Sequence, residues 1–473
     1  MVNFGLIDEW NPRPGQVTSW TLSRESVAAA SSAPIHPIPA SHQQEEYLRA
    51  AQRNEKAGFR FSRLCLEAFD FQTPLNVDAL TRTLNAYLRR HDAYWSWFSA
   101  EDDGSIARHL VDPELLSMVP SEHGYIGSAA EIREHVQQQT PGPFHWDCFT
   151  FGTIEWEGGF TLYAAVDHLD TDGISQALTC VELITLYMNE AFGLSNPLPD
   201  VASYVQYCER ERSISRALTR ESPEFRTWLE IVQSNGGRLP SFPLPLGSDP
   251  FSYTRSAHLS TEVFTEEDAV RFEKTCRDNG SNVASGLLAV AALAYSEFTG
   301  RSDYLGMTPK STRTTRSEMS SVGWFTSLIP VPITVEPGTS FTEIAGAAAK
   351  SFTAGKALTD VSFHRVLELT EPSDGIDVPA GWTAPMLSYI DVRRLPGVDM
   401  FDAINGCLYG NRGSSDEVFV WINRFKDRTS MTLLYPDTEI ARESIQTYID
   451  KYRTIMQTIA AHGDYVLNVP TFT

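Results

Sequence analysis

Residues 164–175 read AAVDHLDTDGIS. An apolar run ends on His168, and Asp172 and Gly173 follow four and five residues later. Upstream, GFTLYAAVDH (159–168) alternates as a strand, with Phe160, Leu162, Ala164, Val166 and His168 on one face. Downstream, GISQALTCVELITLYMNEAFG (173–193) reads as a helix that stops at Gly193. A strand that delivers a histidine to a tight turn and a helix N-terminus suits chemistry. The strand end fixes the ring, and the helix start offers backbone N–H groups close by. A neutral histidine can take a proton from an alcohol or amine near neutral pH, and the oxyanion that forms needs donors. Asp172 would fix the loop by pairing with a buried cation. The plainer alternative is a satisfied core histidine, with Asp172 as a helix cap beside a glycine turn. An HxxxDG match arises by chance in roughly a few per cent of chains of this size, so the motif alone leaves both readings standing. Asp167 and Asp170 lie close enough in sequence to raise the pKa of His168, although loop carboxylates are more often solvated.

Working outward, HWDCFTFGTIEW (145–156) pairs with the 159–168 strand as a hairpin around Glu157, Gly158 and Gly159. VDALTRTLNAYLRR (77–90) has apolar residues at helical spacing, and HDAYWSWF (91–98) reads as an aromatic strand. The first 45 residues, rich in Pro, Ser and Ala, are expected to run extended over the body without forming a core. NGGRLPSFPLPLGSDP (235–250) holds four prolines and three glycines and marks the linker between two lobes, 1–235 and 250–473. Beyond it, 265–280, 282–300 and 441–462 read as helices, and SSVGWFTSLIPVPITV (320–335) as a strand-like run broken by prolines. Helices and strands are mixed without a βαβ rhythm, which gives an α/β class. No tandem repeat is visible.

The 473-residue chain is 42% hydrophobic, and 60 acidic against 38 basic side chains leave a formal charge of -22. Nucleic acid is a poor partner for such a field. The six cysteines are scattered without zinc-type spacing, which fits a reduced cytoplasmic protein. No signal peptide is visible, and the most apolar stretch, 283–295, is too short to span a bilayer. There is no GxSxG, HExxH, GxxxxGK[ST] or GxGxxG pattern. His123 and His135 are far apart in sequence and lack ligand neighbours, so no metal site is expected. His91, beside Arg89 and Arg90 at a helix end, reads as a capping or surface residue.

The cluster at 167–173 resembles the HHxxxDG motif of the condensation-domain and chloramphenicol-acetyltransferase superfamily. LRRHDAYWSWF (88–98) is similar to its RHxxLRxxF segment, and SYVQYCERERS (203–213) to its YxxYxxWQ-type segment. GLLAVAALAYSEFTGRSDYLGMTP (286–309) resembles the helix and strand before the second-lobe motif. TPKSTRTTRSEMSSVGWFTSLIPVPI (308–333) resembles the arginine-containing stretch followed by VGxFxNxLP, and YPDTEIARESIQTYIDKY (435–452) the final strand-to-helix passage. These elements stand in family order from about residue 40 onward. Within the superfamily, LRRHDAYWSWF, HWDCFTFG, FPLPLG and GWFTSLIP resemble the actinobacterial polyketide-synthase-associated acyltransferases.

The resemblance implies two chloramphenicol-acetyltransferase-like lobes, a V-shaped pseudo-dimer with an active-site tunnel between them. His168 takes the place of the second motif histidine, the implied catalytic base. Asp172 takes the place of the motif aspartate, Gly173 that of the motif glycine, and Arg313 that of the arginine which pairs with the aspartate. Gly323, Trp324 and Phe325 match the second-lobe motif that lines or supports the channel. Asp167 replaces the first histidine, whose family role is structural. Thr326 and Ser327 replace the region of the asparagine found in peptide-condensing members, which disfavours peptide bond formation. The implied activity is acyl transfer from an acyl-CoA or acyl carrier protein to a hydroxyl of a lipid, sugar or polyketide alcohol, with no metal or prosthetic group, by a monomer. Two rivals remain: an amide-forming condensation or cyclisation enzyme, and a catalytically silent recruitment scaffold.

Overall fold

The structure is a computed structural model, and it describes residues 3–467 except 57, 60, 250–253, 380–381, 412 and 414. Two compact units emerge. The first comprises Met1–Ser213, Arg313–Phe325 and Arg394–Gly413, and the second Ile214–Thr312, Thr326–Arg393 and Ser414–Thr473. The expected single cut at 235–250, giving lobes 1–235 and 250–473, therefore does not describe the units. The helix Pro223–Ser234 and the proline-rich stretch after it belong to the second unit. Two later segments return to the first, one through the buried ion pair of Arg313 with Asp172 and one through the strand Cys407–Gly410.

The first unit is built on a seven-stranded sheet. Its order is Asn3–Leu6, Cys407–Gly410, Leu64–Phe71, Gly159–Asp167, Phe149–Trp156, Gly15–Leu22, Met118–Ile126. Only the first pair is parallel. The hairpin read from sequence is present: Trp156 pairs with Gly159 around Glu157 and Gly158. Gly158 takes the φ of +91° that such a two-residue turn asks of glycine. Gly159–Asp167 is the middle strand and all nine of its residues are buried, so both faces are covered and the alternation has no wet side. One face packs Leu66, Ala165 and Tyr163 against Ile132 and Val136 of the helix Ala129–Gln139. Helices Val77–Arg90 and Gly173–Phe192 pack together, and the latter lies against the strand Leu64–Phe71.

The N-terminal expectation fails. Gly15–Leu22 is an interior strand, with Val17 and Trp20 fully buried, because its β-branched and aromatic residues complete the sheet. HDAYWSWF also differs: Asp92–Trp95 is a 3-10 turn and the strand begins at Ser96.

In the second unit a four-stranded sheet runs in the order Ser256–Thr265, Arg428–Pro436, Phe419–Arg424, Met386–Asp391. Helices Glu266–Asp278, Val283–Thr299 and Glu439–His462 share its core. Val283–Thr299 is apolar nearly all round because it is enclosed. It starts at an Asn282 cap and ends at Gly300 in the left-handed conformation, φ 70°. Among the described residues Thr326–Thr334 pairs only with Asp303–Ser311, and Pro330 and Pro332 are tolerated because each strand of such a pair has a side outside the ladder.

Candidate active site

His168 follows the last residue of the middle strand, and its backbone N–H donates to the Arg63 carbonyl at 2.7 Å, one step beyond the Leu64–Asp167 pair. The strand thus sets its position rigidly. The imidazole lies against the Trp324 indole, with centroids 4.3 Å apart and planes at 45°. Its Nδ1 is buried, and the His168 and Thr171 carbonyls lie close to the ring. The residue as a whole is partly exposed. Burial pushes the imidazole pKa down to about 4, and the Arg63 guanidinium adds to the depression, while the nearby His168 and Thr171 carbonyls and Asp172 oppose it. Neither Asp167 nor Asp170 is among the causes of the shift. The desolvated ring disfavours its own charged form, and the two aspartates turn elsewhere.

Asp167 is fully buried. Its Oδ2 accepts from Ser62 Oγ at 2.9 Å and its Oδ1 from Leu169 N–H at 3.0 Å. The Tyr47 hydroxyl also bonds to it, and burial raises its pKa to about 6. Asp170 is buried against Cys148, whose Sγ lies 3.4 Å from Oδ2, and burial raises its pKa well above the carboxylate range. None of these carboxylates is the solvated loop residue of the common case.

Asp172 caps the helix Gly173–Phe192, accepting from Ser175 N–H at 2.8 Å. Arg313 donates to both its oxygens, Nη1 to Oδ2 at 2.7 Å and Nη2 to Oδ1 at 3.1 Å, and the Phe325 N–H reaches Oδ2 at 3.0 Å. The remaining donors of Arg313 go to the Glu318 and Ser321 carbonyls and Ser175 Oγ, and its guanidinium lies over the Phe325 ring. Both side chains are almost inaccessible, at 0% and 6%. Such a pair persists only because every polar atom is used.

The segment 322–325 is gripped by side chains. Val322 N–H donates to His91 Nδ1 at 3.4 Å, and Gly323 N–H to Ser175 Oγ at 3.1 Å. Ser175 Oγ donates to the Gly323 carbonyl at 2.9 Å, and Tyr204 Oη to the Trp324 carbonyl at 3.2 Å. Gly323 sits at φ +154°, and a Cβ there would lie 2.4 Å from the Tyr204 ring, so only glycine fits. Gly173 is different: it is exposed, and an added Cβ would meet nothing within 4 Å.

The structure therefore brings His168, Asp172, Gly173, Arg313, Gly323, Trp324 and Phe325 into one cluster of the first unit, with Asp167 directly behind the histidine. Sequence reading missed His91, Ser175, Tyr204, Tyr47 and Arg63. His91 is the C-cap residue of its helix, as read, but it is buried and no surface group, with Nε2 2.6 Å from Glu182 Oε2. Its signal was available: it continues the buried stripe Leu80, Leu84, Tyr87 of its helix. His123 and His135 also differ from expectation. A strand and a helix bring their rings to 4.4 Å, although among the described residues no group of three or more candidate ligands could hold a metal. All six cysteines are buried free thiols, and among the described residues no helix is long and apolar enough to cross a membrane.

Residues 36–374 match the family described as Condensation domain. The chain is 35% identical over 469 residues to 2'-acyl-2-O-sulfo-trehalose (hydroxy)phthioceranyltransferase PapA1 of Mycobacterium tuberculosis (strain CDC 1551 / Oshkosh), covering 98% of this chain and 89% of that protein. It is 36% identical over 460 residues to trehalose-2-sulfate acyltransferase PapA2 of Mycobacterium bovis (strain BCG / Pasteur 1173P2), covering 96% and 97%. Among solved structures, PapA2 acyl transferase superposes with a TM-score of 0.89 at 34% identity over 97% of this chain and 99% of that one. The condensation domain of the Monacolin K polyketide synthase MokA shares the fold, with a TM-score of 0.71 at 16% identity, covering 91% of this chain and 99% of that domain.

Proposed function

The chain belongs to the condensation-domain family and, like the relatives just named, is an acyltransferase; from that premise we propose that it moves an acyl group from a thioester to a sugar hydroxyl, with His168 as general base. The observation that carries the proposal is the placement of His168, held at the strand end by its N–H bond to the Arg63 carbonyl and set against the Trp324 indole. A ring whose pKa is held near 4 is neutral, and so able to accept a proton, across the physiological range. Nδ1 is buried, close to backbone carbonyls that suit an N–H there, and Nε2 is the nitrogen assigned to the incoming hydroxyl.

In this scheme the acceptor hydroxyl gives its proton to Nε2 as its oxygen attacks the thioester carbonyl. The tetrahedral intermediate collapses, the C–S bond breaks, and the imidazolium returns the proton to the departing thiolate. No enzyme-bound acyl intermediate is needed, so the site works by positioning two substrates and excluding water. Arg63, close to the ring, disfavours the imidazolium until the thiolate is there to receive its proton. Asp172 and Arg313 hold the loop and the 322–325 segment and do not touch the reacting atoms. The donor is an acyl-CoA or a carrier-bound acyl thioester. The names of the two relatives put a sulfated trehalose first among acceptors to try.

The test is thiol release from acyl-CoAs of increasing chain length, with and without trehalose, trehalose 2-sulfate, simple alcohols and amines, products being identified by mass. Alcohol-dependent release is expected, reduced by about 10²- to 10⁴-fold in His168→Ala. Release that persists in the variant removes His168 from the chemistry, and amine products in place of esters replace the ester-forming reading with an amide-forming one.

A further inference from the structure

A general base needs a fixed ring, and histidines in such roles are usually oriented by an acceptor at the second nitrogen. His168 has no carboxylate in that place. The His168 and Thr171 carbonyls lie close to its ring, and both oxygens of the nearby Asp172 are taken by Arg313, Ser175 and Phe325. Asp167 is committed to Ser62, Leu169 and Tyr47, and Asp170 faces Cys148 through Oδ2. The aromatic contact of the ring is the Trp324 indole, 4.3 Å away, which is itself backed edge-on by the Tyr47 ring at 5.6 Å. Tyr47 in turn packs on Phe61.

We propose that Trp324 is the positioning residue of His168: its indole fixes the imidazole by packing and keeps water from the buried face of the ring. This deepens the reading of His168 as the base and rests on it. The grip on 322–325 makes the device separable from folding, because among the described residues the hydrogen bonds that anchor the segment go to its backbone and none to the indole. A different side chain at 324 therefore stands on an unchanged main chain. The groups that also face His168 are Arg63, from the residue before the strand Leu64–Phe71, and Asp172, from its own turn. Arg313 acts on it only through Asp172. Loss of the indole leaves all three in place and admits water, which favours the charged ring.

The experiment uses the full chain with Trp324→Phe, Trp324→Leu and Trp324→Met. Two readouts are taken. One is the pH dependence of kcat and kcat/KM for acyl transfer. The other is the titration of the His168 ring by NMR, its resonance being the one missing from His168→Gln. Trp324→Leu is expected to move that titration up from about 4 by roughly one pH unit or more, toward the ordinary histidine value. It is expected to lower kcat about tenfold with KM within about twofold. The acid limb of kcat/KM should rise with the titration, since the base works only when deprotonated. Trp324→Phe restores most of both. Trp324→Met, of similar reach but not aromatic, should behave as Leu does, and it decides the matter if Leu lowers the melting temperature. An unchanged titration and unchanged kcat in Leu and Met overturn the proposal, as does an effect confined to KM. If His168→Ala retains activity, the base reading fails by itself. The NMR arm still reports whether Trp324 governs the ring.

Discussion

His168 and Asp172 stand four residues apart on one turn, and their surroundings are opposites. Asp172 has four donors on its two oxygens, and its partner Arg313 spends its own remaining donors on carbonyls and a hydroxyl of the same cluster. His168 has a buried Nδ1, an aromatic neighbour and a depressed pKa. A buried charge that is fully bonded is committed to holding structure. A neutral ring with no bonded counter-charge keeps a lone pair for an incoming group. On the proposed reading the contrast separates the scaffold of the site from its chemistry.

The largest test of that contrast is Arg313→Ala. It leaves Asp172 as a buried carboxylate without its counter-charge, which costs on the order of 3–5 kcal/mol. A large fall in melting temperature is the expected result, and Arg313→Lys should recover only part because one ammonium cannot replace a two-point contact. A melting temperature equal to wild type would erase the distinction between the two residues.

A smaller effect is expected behind the histidine. Asp167 accepts from Ser62, Leu169 and Tyr47, and an asparagine offers one oxygen to those donors while turning an NH2 toward them. Asp167→Asn should cost about 1–2 kcal/mol and keep acyl transfer within about threefold. The pH dependence sharpens this. The folded pKa of Asp167 is raised to about 6, above its unfolded value, so the wild type is favoured most at low pH. It loses that advantage as pH rises through 6. The asparagine does not titrate, so the penalty measured at pH 5 should shrink by pH 8. Loss of turnover in a folded Asp167→Asn protein would move Asp167 to the chemical side of the comparison.

These residues also mark how far the sequence could be read. The strand, the turn and the helix were legible because each is local: apolar alternation up to residue 168, a cap at Asp172, a glycine stop at Gly193 with φ 67°. The partnership of Arg313 with Asp172, 141 residues away, came from resemblance and not from spacing. Ser175, Tyr204 and Tyr47 act through contacts made only by folding, and no local pattern distinguishes them from ordinary helix residues. The N-terminal strand failed for a different reason. The proline and serine content of the surrounding segment outweighed QVTSWTL, whose β-branched and aromatic residues were the truer signal. The unit boundaries are not local either: a proline-rich stretch reads as the cut, whereas folding recruits 313–325 and 394–413 from far along the chain.

The smallest expected effect lies at the border between the two environments. Gly173 opens the helix that Asp172 caps, yet it faces away from the bonded cluster: it is exposed, its φ is not positive, and a methyl there would touch nothing in the chain. Neither conformation nor packing requires glycine, and alanine at a helix start should leave stability unchanged or raise it by up to about 1 kcal/mol. If the open side of the turn is where substrates lie, the same methyl intrudes on them and not on the protein. Gly173→Ala is therefore expected to keep or raise the melting temperature while lowering kcat/KM about three- to tenfold. Full activity in a protein of unchanged stability would mean that the reacting groups approach His168 from another direction, and would confine the chemical side of the turn to the imidazole and the Trp324 wall.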